Sequence, residues 1–336
     1  MAKDVNRPFL LASRSLINIE FVLVILGRRG QSSTMKTLLF SALLLFANAV
    51  SAESPYIYVL GVAQDAGYPQ AGCYREHCQP GWDDRDKRIT ASSIAVIDPA
   101  ASKSYLFDAT PHFPDQLFRL DRQAAGASLS GIFLTHAHIG HYTGLMHLGR
   151  EVMGAKDMPV YAMPRMKDFL ETNGPWSQLV SLGNISLQSL QDKTAVELGA
   201  LTVTPFTVPH RDEFSETVGY RIDGPQKSAV FIPDIDKWDK WATDIVDVVR
   251  GVDYALLDAT FFADGELPNR AMSEVPHPFV VESMALFDEL PAEIRSRVIF
   301  IHMNHTNPML DPGSKAHRRV TEAGYRVATD GLRLAL

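Results

Sequence analysis

The chain has 336 residues, of which 46% are hydrophobic and 21% charged, the balance of a globular protein with material for one large core. Its 32 Lys/Arg against 39 Asp/Glu give a net charge of −7, and no basic cluster of the kind that neutralises phosphates is visible. Nucleic acid and other polyanions are therefore not expected as partners, and a small-molecule substrate is.

The first 52 residues stand apart from the rest. Met35-Lys36-Thr37 precedes the apolar run Leu38 to Ala47, which ends in Val50-Ser51-Ala52. A positive start, a short apolar centre and small residues at −3 and −1 describe a secretory signal peptide, cleaved after Ala52. The run is shorter than the ~20 apolar residues of a spanning helix, so no membrane span is expected after cleavage. Residues 1–34 read as an upstream extension, 35–52 as the signal peptide and 53–336 as the folded domain, placing the mature protein in the periplasm or outside the cell. Losing six basic and two acidic residues leaves 26 against 37, a net charge near −11.

From Tyr56 to Val62 the chain reads as a strand, followed by a loop marked by Gly67, Pro69 and Gly72. That loop holds Cys73 and Cys78, the only two cysteines, with His77 between them. In an exported protein they form a disulfide, or they join His77 in a structural zinc site whose fourth ligand is unaccounted for. Strands at Ser93–Asp98 and Tyr105–Asp108 follow, then the lone loop histidine His112 and a helix from about Asp115 to Ala125. Ile132 to Leu134, a buried strand, runs straight into Thr135-His136-Ala137-His138-Ile139-Gly140-His141-Tyr142. At a strand end residues i and i+2 share a side, so His136 and His138 can reach one ion. His141, past a turn, faces the same cavity. Three of the eleven histidines fall within six positions, which points to a bound divalent metal.

The pattern then alternates: a helix at Leu145–Gly149 carrying His147, a strand at Pro159–Ala162, a helix at Met166–Glu171 and strands at Ile185–Leu190 and Leu201–Val208. The last of these leads into Pro209-His210. Val218–Ile222 and Ser228–Ile232 read as an antiparallel pair ending at Pro233-Asp234. A helix from Lys237 to Arg250, a strand at Tyr254–Asp258 and a strand at Arg297–His302 complete the reading. Strand–helix alternation that recurs twice suits two packed sheets with helices outside.

The histidine run resembles the HxHxDH signature of the metallo-β-lactamase fold superfamily, with Gly140 where the aspartate belongs. The resemblance implies an α/β fold, a four-layer αββα sandwich of two mixed sheets packed face to face with helices outside. It also implies a zinc centre of one or two Zn2+ ions, or another divalent metal. His136, His138 and His210 would hold the first ion, His141 and His302 the second, with Asp234 bridging. His305 is the alternative to His302, and Asp236 to Asp234. Glycine supplies no ligand atom, so the second site is expected to be the weaker one, leaning on His141, Asp234 and His302. Asp108 and Asp258 are the alternative sources of the missing acid.

Within the superfamily the chain resembles the coenzyme PQQ (pyrroloquinoline quinone) synthesis protein B family, from about Leu60 to Leu310. The likeness is carried by Gly67-Tyr68-Pro69-Gln70, Thr90-Ala91-Ser92-Ser93-Ile94-Ala95, the stretch Pro209 to Gly219, and Ile301-His302-Met303-Asn304-His305-Thr306-Asn307-Pro308. That family is usually cytoplasmic and often lacks the full histidine motif, so this chain looks like an exported relative with a different task. Asp258-Ala259-Thr260-Phe261 and Pro276-His277-Pro278 resemble segments of tRNA 3′-processing endonucleases of the same superfamily, which implies a proton-donating or anion-holding His277. The expected chemistry is metal-assisted hydrolysis of an ester, lactone, amide or phosphodiester. A bound ion lowers the pKa of its water from 15.7 to about 7. Asp234 would orient the hydroxide, and His277 or Tyr142 would assist the leaving group. The alternative is a non-catalytic carrier of a small cofactor such as pyrroloquinoline quinone.

Overall fold

The computed structural model describes residues 53–336 apart from Ala125, Asp212 and Asn269, and the expected signal peptide lies outside the described residues. Strand β1 (Tyr56–Gly61) is joined to β2 (Ser93–Asp98) by a long loop carrying the short helix α1 (Gln79–Asp83). After β3 (Lys103–Phe107), helix α2 (Phe113–Gln123) leads to β4 (Ser128–Phe133), and the single turn α3 (Ile139–Tyr142) follows the histidine run. This half closes with β5 (Met158–Ala162), α4 (Pro164–Thr172), α5 (Trp176–Ser181) and β6 (Ile185–Ser189). The second half brings β7 (Val196–Glu197), β8 (Thr202–Thr207), β9 (Val218–Asp223), β10 (Ser228–Ile232), α6 (Ile245–Arg250) and β11 (Tyr254–Asp258). It continues with α7 (Val280–Phe287), α8 (Ala292–Arg295), β12 (Val298–Ile301), α9 (Lys315–Glu322) and β13 (Arg326–Val327), before β14 (Arg333–Ala335) returns to the first sheet.

Two seven-stranded mixed sheets result, ordered β14-β1-β2-β3-β4-β5-β6 and β13-β12-β11-β10-β9-β8-β7. In the first, the pairings from β14 to β3 are antiparallel and those from β3 to β6 parallel. In the second, the pairings from β7 to β10 are antiparallel and those from β10 to β13 parallel. The expected αββα sandwich is therefore present. Period-two alternation explains it: Ile57, Val59, Ile94 and Val96 belong to the core shared with the second sheet, while Tyr56, Leu60, Ala95 and Ile97 belong to the layer under α2, α4 and α5. In the shared core Phe107 stacks on Phe133 at 5.0 Å and meets Tyr220 edge-on at 5.3 Å. Burying each such ring contributes roughly 1.5–3 kcal/mol. These rings lie on β3, β4 and β9, and fix the strand ends that carry the polar residues described below.

Two expected helices differ from their sequence pattern. The Lys237–Arg250 stretch is a 3₁₀ turn (Trp238–Lys240) followed by α6, because the Asp244 side chain accepts from Val246 N and restarts the helix. The Leu145–Gly149 stretch belongs to a 3₁₀ segment, Thr143–Leu148. Among the described residues no helix is long and apolar enough to cross a membrane.

Candidate metal centre

Parallel sheets gather function beyond the carboxyl ends of their strands, and here six histidines and two aspartates meet there. His136 and His138 follow β4, His141 sits on α3, His210 follows β8, Asp234 follows β10 and His302 follows β12. Asp234 is the centre. Its Oδ2 lies 3.3 Å from His136 Nε2, 4.0 Å from His138 Nδ1, 3.7 Å from His141 Nε2 and 4.0 Å from His302 Nε2. Its Oδ1 lies 3.3 Å from His210 Nε2 and 3.2 Å from His277 Nδ1. One set of ligand atoms comprises His136, His138, His210 and Asp234, and a second comprises Asp65, His141, Asp234 and His302, with all atoms of a set within 4.8 Å of one another.

The back of each ring is tied down, which fixes the nitrogen that faces inward. His141 Nδ1 is 2.8 Å from Asp108 Oδ2, His210 Nδ1 3.2 Å from Asp236 Oδ1, and His138 Nε2 3.1 Å from Glu213 Oε2. His136 Nδ1 lies 2.9 Å from Thr135 Oγ1, whose hydroxyl donates to Asp108 Oδ2 at 3.0 Å. His302 Nδ1 lies 3.0 Å from Thr260 Oγ1, which donates to Asp258 Oδ1 at 2.7 Å. Asp236 and Asp108, considered from the sequence as substitute ligands, are thus orienting partners of ligands. Asp258 likewise accepts from Thr260 and Ile235 N, and its Oδ2 is 2.8 Å from His277 Nδ1.

With the rings so held, Nε2 of His141, His210 and His302, together with the Oδ1 atoms of Asp65 and Asp234, are buried and have no hydrogen-bond partner. Unpaired buried polar atoms are costly. These five fall in the two ligand sets, His210 in the first, Asp65, His141 and His302 in the second and Asp234 in both, which fits divalent cations, and a donor set of imidazole nitrogens and carboxylates suits zinc. Three residues here also take left-handed backbone unusual for side-chain-bearing residues: Asp65 (φ 28), Asp108 (φ 66) and His302 (φ 67). Such backbone costs of order 1–3 kcal/mol per residue and collects at functional sites.

The electrostatics follow from this crowding. Burial alone would push the Asp234 carboxyl up, but His210, His277 and His302 outweigh it and hold it well below the usual range. Burial pulls the His277 imidazole down, yet Asp258 and Asp234 more than offset it and leave it raised to about 9. His141 is similarly raised well above its ordinary value, Asp108 and Asp65 overcoming desolvation.

Three sequence expectations need correction. Tyr142, expected to assist the leaving group, is buried under the first sheet, edge-on to Phe169 at 5.4 Å and Trp176 at 5.0 Å. A one-turn helix sends adjacent residues in different directions, so the neighbour of a ligand is turned into the core. Cys73 and Cys78 are free thiols rather than a disulfide. They form a separate group with His77 and His305, in which Cys73 Sγ is 3.4 Å from His77 Nε2. His305 is therefore the fourth member of that group and not the alternative to His302. Burial, then His77 and Arg75, lowers its imidazole to about 4.

The third correction concerns the missing acid. Asp65, in the loop after β1, was not singled out in the sequence, yet its Oδ1 lies 3.2 Å from His141 Nε2 and 3.8 Å from His302 Nε2. A β-carbon on Gly140 would fall 2.4 Å from Asp65 Cα and 2.5 Å from its Oδ1. Asp65 thus fills the space that a side chain at position 140 would need. An acid just past the end of a strand was the available signal.

A mixed-sheet sandwich with a histidine–aspartate cluster at the carboxyl ends of its strands defines a protein of the metallo-β-lactamase type. Residues 103–303 match the family described as the beta-lactamase superfamily domain, and the chain belongs to that superfamily. It is similar to coenzyme PQQ synthesis protein B of Methylobacterium sp. (strain 4-46), 28% identical over 306 residues that cover 83% of this chain and 99% of the relative. The counterpart in Xanthomonas campestris pv. campestris (strain B100) is 27% identical over 309 residues, with the same coverage of 83% and 99%. Among solved structures, Zn(2+)-bound PqqB from Methylobacterium extorquens superposes with a TM-score of 0.70 at 24% identity, covering 84% of this chain and 100% of that one. A diphosphatase of the PhnP family gives a TM-score of 0.60 at 24% identity, covering 84% and 97%. These structural likenesses show the shared fold.

Proposed function

We propose that the protein is an exported metal-dependent hydrolase of the metallo-β-lactamase fold, acting on an ester, lactone, amide or phosphodiester of a small molecule. The observation that carries this reading is the convergence of five buried ligand atoms without partners, from His141, His210, His302, Asp65 and Asp234. Zinc is the first candidate, being the ion named for the PqqB of Methylobacterium extorquens. When bound, such an ion acidifies water and polarises the scissile oxygen.

The chain's own residues do the rest. Asp234, facing the histidines of both ligand sets, accepts a hydrogen from the attacking water and so orients it. His277 is held by Asp258, whose carboxylate favours the protonated imidazole, and donates to the leaving group. At the rim, Ile139 beside His138 is 68% exposed, and Phe214 beside Glu213 is 60% exposed and lies 5.5 Å from Phe169. An apolar rim favours a substrate with an apolar portion. Cys73, His77, Cys78 and His305 suit a structural ion that pins the loop after β1 to the segment after β12.

One observation favours a second reading, a non-catalytic carrier of pyrroloquinoline quinone: the identity with PQQ synthesis protein B runs over 99% of that relative. The test is to strip the purified protein with chelator, reload it with zinc, and screen chromogenic ester, lactone and phosphodiester substrates. Zinc-dependent turnover supports the hydrolase. Zinc-loaded protein that turns over none of them but binds the quinone supports the carrier. Export is tested separately by mass spectrometry of the cell-derived protein, where a chain beginning at Glu53 supports it and one retaining residues 35–52 refutes it.

A further inference from the structure

The superfamily pattern places an acid on the turn after the second histidine, and this chain has Gly140 there. We propose that Asp65, from the loop after β1, is the carboxylate ligand that completes a second divalent-ion site with His141, His302 and Asp234. The inference rests on the metal-dependent reading above and adds to it the source and number of the ligands.

Four observations point the same way. Asp65 Oδ1 faces Nε2 of both His141 and His302, at 3.2 and 3.8 Å, and Asp234 Oδ2 faces the same two nitrogens at 3.7 and 4.0 Å. Oδ1 of Asp65 is buried and accepts no hydrogen bond, although 38% of its side chain is exposed. The functional oxygen is thus turned inward and the rest of the residue outward. His141 and His302, 1% and 0% exposed, are likewise unpartnered at Nε2. Finally, Asp65 holds its position at φ 28, a conformation that aspartate and asparagine tolerate better than most residues.

Gly140 and Asp65 are two halves of one exchange. In place of an acid on the turn at α3, a carboxylate comes from a loop about 75 positions earlier in the chain, and the glycine leaves room for it. The total of carboxylates facing the second ion is unchanged, so the charge balance expected of such a site is kept. A second site of undiminished strength follows, rather than the weak one that the sequence pattern implies.

The test counts ions in the full chain and in Asp65→Asn and Asp65→Ala. Each protein is stripped with chelator, checked for an unchanged unfolding midpoint in the metal-free state, and titrated with cobalt(II). Thiolate-to-cobalt charge transfer reports the Cys73–Cys78 group, which leaves the weaker visible bands and the total metal content to report the histidine cluster. The expected result is two equivalents in the cluster of the unmodified protein. Both variants should retain the first and lose the second at metal concentrations that saturate the unmodified protein. Two equivalents of equal affinity in both variants would overturn the proposal and show Asp65 to be a counter-charge only. A single equivalent in the unmodified protein at saturating metal would also overturn it. No metal in the unmodified cluster would instead overturn the hydrolase reading itself, taking this inference with it.

Discussion

His302 and His305 lie three residues apart after β12 and serve different clusters. His302 turns Nε2 towards Asp234 at 4.0 Å, while His305 packs 5.6 Å from the His77 ring beside Cys73 and Cys78. The left-handed backbone at His302 (φ 67) turns the chain so that the two side chains part. Substituting each should therefore affect a different ion. His305→Ala is expected to raise the cobalt concentration needed to develop the thiolate charge-transfer band and to leave the histidine-cluster bands unchanged. His302→Ala should keep that band and lower the metal content of the histidine cluster by one equivalent, the ion of His136, His138 and His210 remaining. An effect on both clusters in either variant would mean that the clusters are not separate.

His136→Ala should lower tightly bound metal by at least one equivalent, whereas His147→Ala and His317→Ala should leave it unchanged. His136 is 1% exposed with Nε2 on Asp234. His147 stacks on Phe113 at 6.0 Å, and His317 Nδ1 lies 3.1 Å from Met309 O, both away from the cluster. Metal analysis after dialysis distinguishes them, and equal contents in all three variants would sink the ligand assignment.

Restoring the superfamily's aspartate should do harm. The β-carbon of Gly140→Asp would meet Asp65 backbone at 2.4 Å, which no side-chain rotation relieves. Overpacking of this kind costs about 1–3 kcal/mol. Gly140→Ala, which adds only that β-carbon, should already lower the denaturation midpoint. A Gly140→Asp protein as stable as its parent, with metal bound more tightly, would show that the loop after β1 yields easily.

If His277 is the proton donor, His277→Gln should lower kcat by roughly 10²–10⁴ with unchanged metal content. The loss should shrink on substrates whose leaving group needs no proton, such as a nitrophenyl ester. An equal loss on activated and unactivated substrates would assign His277 to positioning instead.

Much of this centre was legible because strand ends are legible. β-branched and aromatic runs stop at Phe133, Thr207, Ile232 and Ile301, and a ligand follows each within three residues. Asp65 was not legible. It sits in a loop, and its relation to Gly140 exists only once β1 and β4 lie in one sheet. Tyr142 failed for a different reason: adjacency to His141 says nothing about direction on a helix of four residues. The disulfide expectation counted only sequence neighbours, and the fourth member of that group, His305, comes from more than two hundred positions away.

The repeated pairing order of the two sheets has a consequence for how the chain is joined. β7 to β13 form the second sheet without interruption, but the first borrows β14 from the far end of the chain. That end lies against the beginning, Leu336 N donating to Pro55 O at 2.8 Å. Treated as a ring, the described chain is two seven-strand runs of like pairing, β7 to β13 and β14 to β6. A circular permutant joined from 336 to 53 and opened between β6 and β7 would make each sheet one continuous stretch of sequence. The cluster would then be the seam between two such stretches, with Asp65, His136, His138 and His141 contributed by one and His210, Asp234, His277 and His302 by the other.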